Sequence, residues 1–141
     1  MNTKKLDRVY CDDLKEYQVL REDASFFQKG GNPEIFIMAM AMGFKKGIKT
    51  PLKKGKEGVV RLTYFKEEHI SMIKAIAVID AKSAEILSDE EKIYSIAEEY
   101  ANTGIKLLKP LLISTDSVSY IKKLASELLE NIKDNNVSTS K

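Results

Sequence analysis

The sequence predicts an all-α fold: a compact bundle of about five helices with a basic loop between the second and third. Three stretches carry that expectation. From Ser88 to Ile113, apolar residues recur at Ile93, Ile96, Ala97, Tyr100, Ala101, Gly104, Ile105 and Leu108, the spacing of a helix with one buried face. From Asn32 to Phe44, the run NPEIFIMAMAMGF is apolar on every side, the mark of a helix buried all round. From about Ser117 to Lys133, Val118, Ile121, Ala125, Leu128 and Ile132 step by three and four, close to a heptad seam, with Leu124 and Leu129 beside them. Segments that alternate apolar and polar residues are scarce.

A chain of 141 residues fits one domain, expected over residues 1–134 with a polar, disordered tail at 135–141. No run approaches the roughly 20 apolar residues of a membrane span. The N-terminus lacks the apolar core of a signal peptide. Cys11 is the single cysteine, which leaves no intrachain disulfide and points to a cytoplasmic location.

The elements follow in order. Residues 1–9 are polar and expected to fray. A short helix is expected between Tyr10 and Asp23, with Asp12 or Asp13 as its cap and Leu14, Tyr17, Val19 and Leu20 as its apolar residues. Gly30 and Gly31 end that segment. Asn32 then reads as an N-cap with Pro33 at the first helical position and Glu34 in the first turn. A buried strand is the competing reading of the run that follows, and its repeated Ala and Met favour helix. Gly43 and Gly47 are expected to stop it. Val59 to Thr63 fits an extended turn or a very short strand. A further helix begins at Thr63 or Tyr64 and carries Phe65, Ile70, Ile73, Ile76 and Ala77 at helical spacing. AKSAEIL connects onward with room for one helical turn. Ser88 and Glu91 then form a Ser-x-x-Glu capping box, and Ile96 and Ala97 should lie at the buried centre of the long helix. Pro110 removes a backbone donor, so a kink or break is expected near Leu107 to Lys109. Ser114, Thr115 and Asp116 offer a cap for the last helix.

Net charge is +2, and its distribution is uneven. Between Lys45 and Arg61, seven basic residues (Lys45, Lys46, Lys49, Lys53, Lys54, Lys56 and Arg61) face one acid, Glu57. Such a field attracts a polyanion, and each phosphate it neutralises releases counterions. Thr50 and the loop amides can add hydrogen bonds to phosphate. Phe44 and Tyr64 flank the loop but do not interrupt it, so base stacking is not indicated. A solvated loop, or a patch for an acidic protein, are the plainer alternatives. These seven residues are the candidate nucleic-acid-binding set.

Other constellations favour structural roles. His69 is the only histidine, too few ligands for a zinc site. A Cys11–His69 pair lacks local support for a nucleophile. The acidic pairs Asp12–Asp13, Glu67–Glu68, Glu90–Glu91 and Glu98–Glu99 point about 100° apart on a helix and do not converge on one ion. The loop glycines lack the Gly-x-x-x-x-Gly-Lys-Ser/Thr order of a phosphate-binding loop. Met38, Met40 and Met42 read as core filling. No catalytic residue, cofactor or metal is expected.

Two blocks, NPEIFIMAMAMGFKKGIKTPL and IAEEYANTGIKLLKPLL, with AIAVID between them, resemble the small proteins encoded beside bacterial and archaeal DNA phosphorothioation (Dnd) systems, over residues 32–113. The resemblance implies a role in defence against foreign DNA and makes Tyr100, Asn102 and Gly104 family-like positions. By their residue types these read as helix packing: Gly104 admits a close neighbour, and Asn102 caps or hydrogen-bonds across helices. Together these observations describe a non-enzymatic accessory protein of a DNA modification or restriction system, contacting DNA or a defence complex through residues 45–61. The alternative is a protein-interaction module, a regulator or inhibitor from a mobile element, that uses a helical face without touching DNA. A small magnesium-dependent nuclease ranks last.

Overall fold

The structure is a computed structural model, and it describes residues 6–23, 31–53, 55–113, 126, 129 and 130. It is mostly helical, as expected, with one addition: a small antiparallel sheet. Within the described residues the order is β1 (Arg8–Cys11), α1 (Leu14–Asp23), α2 (Gly31–Lys46), β2 (Glu57–Arg61), α3 (Glu67–Ala81) and α4 (Glu90–Ile113). Short 3-10 turns at Leu62–Tyr64 and Ala84–Ser88 lead into α3 and α4. Among the described residues there are four such helices, against the expected bundle of about five. The helix expected from Ser117 to Lys133 lies outside the described residues, except for 126, 129 and 130, which are helical.

The strand pair corrects one expectation: residues 8–11 form a strand, so the chain is not frayed up to residue 9. α1 begins at Leu14, inside the stretch expected to be helical. Arg8 pairs with Arg61 and Val9 with Val60, with a register irregularity before Tyr10. Burial alternates along β1, so Val9 and Cys11 enter the core. Four residues give too short an alternation to be distinguished in sequence from a polar terminus. Asp13 caps α1 by accepting from the Lys15 amide at 2.9 Å.

α2 is the buried helix. Ile35, Phe36, Ala39 and Met40 are fully buried along it, and it crosses α4 at the main packing contact of the molecule. Gly43 and Gly104 sit at that crossing. A Cβ on Gly43 would collide with the Tyr100 backbone, and one on Gly104 with the backbone of Ala39 and Gly43. The close approach expected of Gly104 is present. Gly43, expected to stop α2, lies inside it instead. Gly47, at φ 73°, follows the last helical residue.

Four helix-end expectations are also corrected. Asn32 does not cap α2; its Nδ2 donates to the Val59 carbonyl of β2 at 3.1 Å. Asp89, not Ser88, caps α4, its Oδ1 accepting from the Lys92 amide at 3.2 Å. Ser88 instead closes the preceding 3-10 turn by donating to the Glu85 carbonyl. α4 runs through Pro110 to Ile113 without a break. α3 starts at Glu67, not Thr63 or Tyr64, with Phe65 packed before it against Phe36. Ala97 is fully buried at the centre of α4, while Ile96 is only partly buried at the edge of the same core.

Candidate nucleic-acid interface

The seven basic residues do not form one continuous loop. Lys45 and Lys46 end α2, Lys49, Lys53 and Lys56 lie between α2 and β2, and Arg61 ends β2. Lys54 is outside the described residues. The five described lysines and Arg61 are all exposed.

The connection is strapped to α4 and β1 by groups drawn from across the chain. The Thr50 amide donates to the Glu99 carbonyl at 3.0 Å, and the Thr50 and Thr103 hydroxyls lie 2.6 Å apart. Asn102, almost wholly buried, donates from Nδ2 to Asp12 at 3.0 Å and to the Thr50 carbonyl at 3.1 Å. The other Asp12 oxygen accepts from the Lys53 amide at 2.7 Å. At one end of the strap, Asp80 accepts from Lys49 Nζ at 2.9 Å and from the Tyr100 hydroxyl at 2.5 Å. At the other, Lys56 Nζ sits 4.9 Å from the centre of the Tyr10 ring.

Charge follows this geometry. Burial pushes the Asp80 carboxyl up, but the Tyr100 and Lys49 hydrogen bonds outweigh it and hold it below the ordinary range. Burial likewise raises Asp12, and the bonds from the Lys53 amide and Asn102 more than reverse it. Burial and then Asp80 raise the Tyr100 phenol. Lys49 is therefore partly neutralised by Asp80, so its cation is less available to an outside anion than its exposure alone suggests.

The strap makes Asn102 a structural pivot. Asn102→Leu should leave Asp12 and the Thr50 carbonyl without their shared donor, a loss of about 1–3 kcal/mol. Hydrogen exchange should speed up at the Thr50 and Lys53 amides while the amides of α2 and α4 stay protected. Unchanged exchange at those two amides would show that the strap does not depend on Asn102.

Beside Lys56 lies a cleft of about 980 Å³ between β1 and the first half of α4, lined by Arg8, Tyr10, Tyr94 and Glu98 among others. Glu98 is only 8% exposed and accepts from the Tyr10 amide at 2.8 Å. Burial raises its carboxyl to about 7, against the opposing pull of that hydrogen bond and of Lys56. The cleft mixes basic and acidic walls and does not extend the basic surface.

The remaining candidates have structural places. Cys11 is buried on β1, and burial lifts its thiol to about 12, which keeps it protonated and a poor nucleophile. His69 is buried in the first turn of α3, where Nδ1 accepts from the Lys66 amide at 3.1 Å and Nε2 faces Glu34 at 3.5 Å. Among the described residues, no group of three or more His, Cys, Asp and Glu could hold a metal ion. No described helix is long and apolar enough to cross a membrane.

The anchors Asp12, Asp80 and Thr103 carry no sequence signal as loop contacts, because each meets its partner from a distant part of the chain. Tyr100 and Asn102 stood out only through resemblance, and both hold the strap. Asn102 bonds to the connection and the β1–α1 turn rather than to a neighbouring helix.

A small helical protein with a strapped basic connection is the class these features define. The family model for DNA sulphur modification system-associated protein 4 matches residues 14–141, and the chain belongs to that family. Its description names an association with DNA sulphur modification and no reaction. No curated protein and no solved structure matches the chain.

Proposed function

We propose that this protein is a non-enzymatic accessory component of a DNA sulphur modification system and contacts DNA through the basic residues between Lys45 and Arg61. The observation that carries the reading is the strap: Asp12, Asn102, Thr103 and Glu99 hold the connection in one place while its lysines remain exposed. A preordered cationic segment loses little conformational entropy on meeting phosphate. Lysine reads phosphate and offers little to base edges, so binding should depend weakly on sequence.

The test is a titration of labelled duplex at several salt concentrations. Each phosphate contact contributes about −0.9 to the slope of log K against log salt. Changing Lys45, Lys46 and Lys53 together to glutamine should flatten that slope by about 2.7 if each meets one phosphate. The melting temperature should hardly move, because these side chains lie outside the core. Absence of binding by the parent protein at low salt would remove DNA contact and leave a protein-interaction module in its place.

A further inference from the structure

The end of α2 leaves one apolar side chain uncovered. The Gly47 amide donates to the Phe44 carbonyl at 3.0 Å and the Ile48 amide to the Gly43 carbonyl at 3.3 Å, the paired bonds of a Schellman ending. In such endings the residue in the position of Ile48 commonly packs its apolar side chain on the helix residue five or six places earlier. Here those residues are Gly43 and Met42. Gly43 has no side chain, because its Cα lies against the Tyr100 backbone at the helix crossing, and Met42 is itself buried. Ile48 is consequently 52% exposed.

It is also held there. On its N-terminal side the two Schellman bonds fix the backbone. On its C-terminal side Lys49 is tied to Asp80 and Thr50 to Glu99 and Thr103. The Ile48 backbone is thus fixed on both sides, and its side chain stands exposed from a held segment. Lys45, Lys46 and Lys49 stand within three residues of it in sequence. An apolar tip beside Lys45 and Lys46, with Lys49 partly neutralised by Asp80, suits a partner that carries anions beside apolar surface. Duplex DNA presents that combination: phosphates along each groove edge, with deoxyribose and base-edge carbons between them.

Resting on the reading of this segment as a DNA contact, we infer that Ile48 packs against the apolar wall of a duplex groove while the neighbouring lysines engage the phosphates. The two contributions separate physically. Burying apolar surface releases no counterions, so removing it lowers affinity by the same factor at every salt concentration and leaves the slope unchanged. Removing a lysine changes the slope.

The experiment compares the parent, Ile48→Ser and Ile48→Leu on one labelled duplex across several salt concentrations. Ile48→Ser should bind about tenfold more weakly, on a line parallel to the parent's, and Ile48→Leu should bind close to the parent. Both variants should melt with the parent, since the side chain lies outside the core. Parent binding with undiminished Ile48→Ser binding overturns the inference and leaves the DNA reading standing. So does a loss confined to low salt, which would make the effect electrostatic. If the parent itself does not bind at low salt, the DNA reading falls and takes this inference with it.

Discussion

Replacing Gly104 by alanine is expected to destabilise the protein more than any other single-methyl change. The added carbon would collide with the Ala39 carbonyl and crowd the Gly43 amide, both backbone atoms of α2. A flexible side chain could swing aside, but a backbone can yield only by moving the helix. Alanine's better helix propensity, about 1 kcal/mol over glycine, cannot offset that displacement, because overpacking alone costs about 1–3 kcal/mol and here the whole α2–α4 contact must open. The expected loss is a melting temperature lower by on the order of 10 °C. Gly55→Ala is the control. Gly55 has φ 82° but open space around it, so alanine there should cost only the backbone strain, about 1 kcal/mol. Thermal melts followed by far-ultraviolet circular dichroism would compare the two. A Gly104→Ala protein that melts no lower than Gly55→Ala would mean the helices do not pack this closely.

The same crossing shows how far the sequence could be read. The apolar face of α4 and the all-round burial of α2 are periodic over several turns, and both helices form where that period places them. Short-range signals misled where a competing partner won. Asn32 has the composition of a cap but finds a carbonyl on β2, and Ser88 finds a nearer carbonyl in its own 3-10 turn. Pro110 lacks an amide hydrogen, yet α4 continues past it. The basic residues were visible as composition. Their setting was not, because Asp12 lies 41 residues from Lys53 and 90 from Asn102, and Asp80 lies 31 from Lys49. Such contacts have no local pattern. They exist only once α2 and α4 have brought the connection against β1.

Glu98 should make stability depend on pH in a direction opposite to that of most carboxylates. Its folded value is raised from 4.5 to about 7, chiefly by burial. Between those values the folded protein holds a proton that the unfolded chain has lost. The unfolded state then binds fewer protons, so stability falls as pH rises through that window and levels off above it. At about 1.4 kcal/mol for each unit, the penalty at pH 8 is on the order of 3 kcal/mol. Glutamine keeps an oxygen that can accept from the Tyr10 amide and carries no charge. Glu98→Gln should therefore melt close to the parent near pH 4.5 and well above it at pH 8, with the difference growing through the interval between. Taking the difference between the two proteins cancels the titration of every other group that the substitution leaves alone. Lys56 supplies an internal check, because its charge opposes the rise. Lys56→Met in the parent background should enlarge the gain from Glu98→Gln at pH 8. Denaturant unfolding of the four proteins at several pH values measures both effects. A difference between parent and Glu98→Gln that stays flat from pH 4.5 to 8 would show that Glu98 reaches solvent well enough to ionise freely, and that β1 does not seal it against α4.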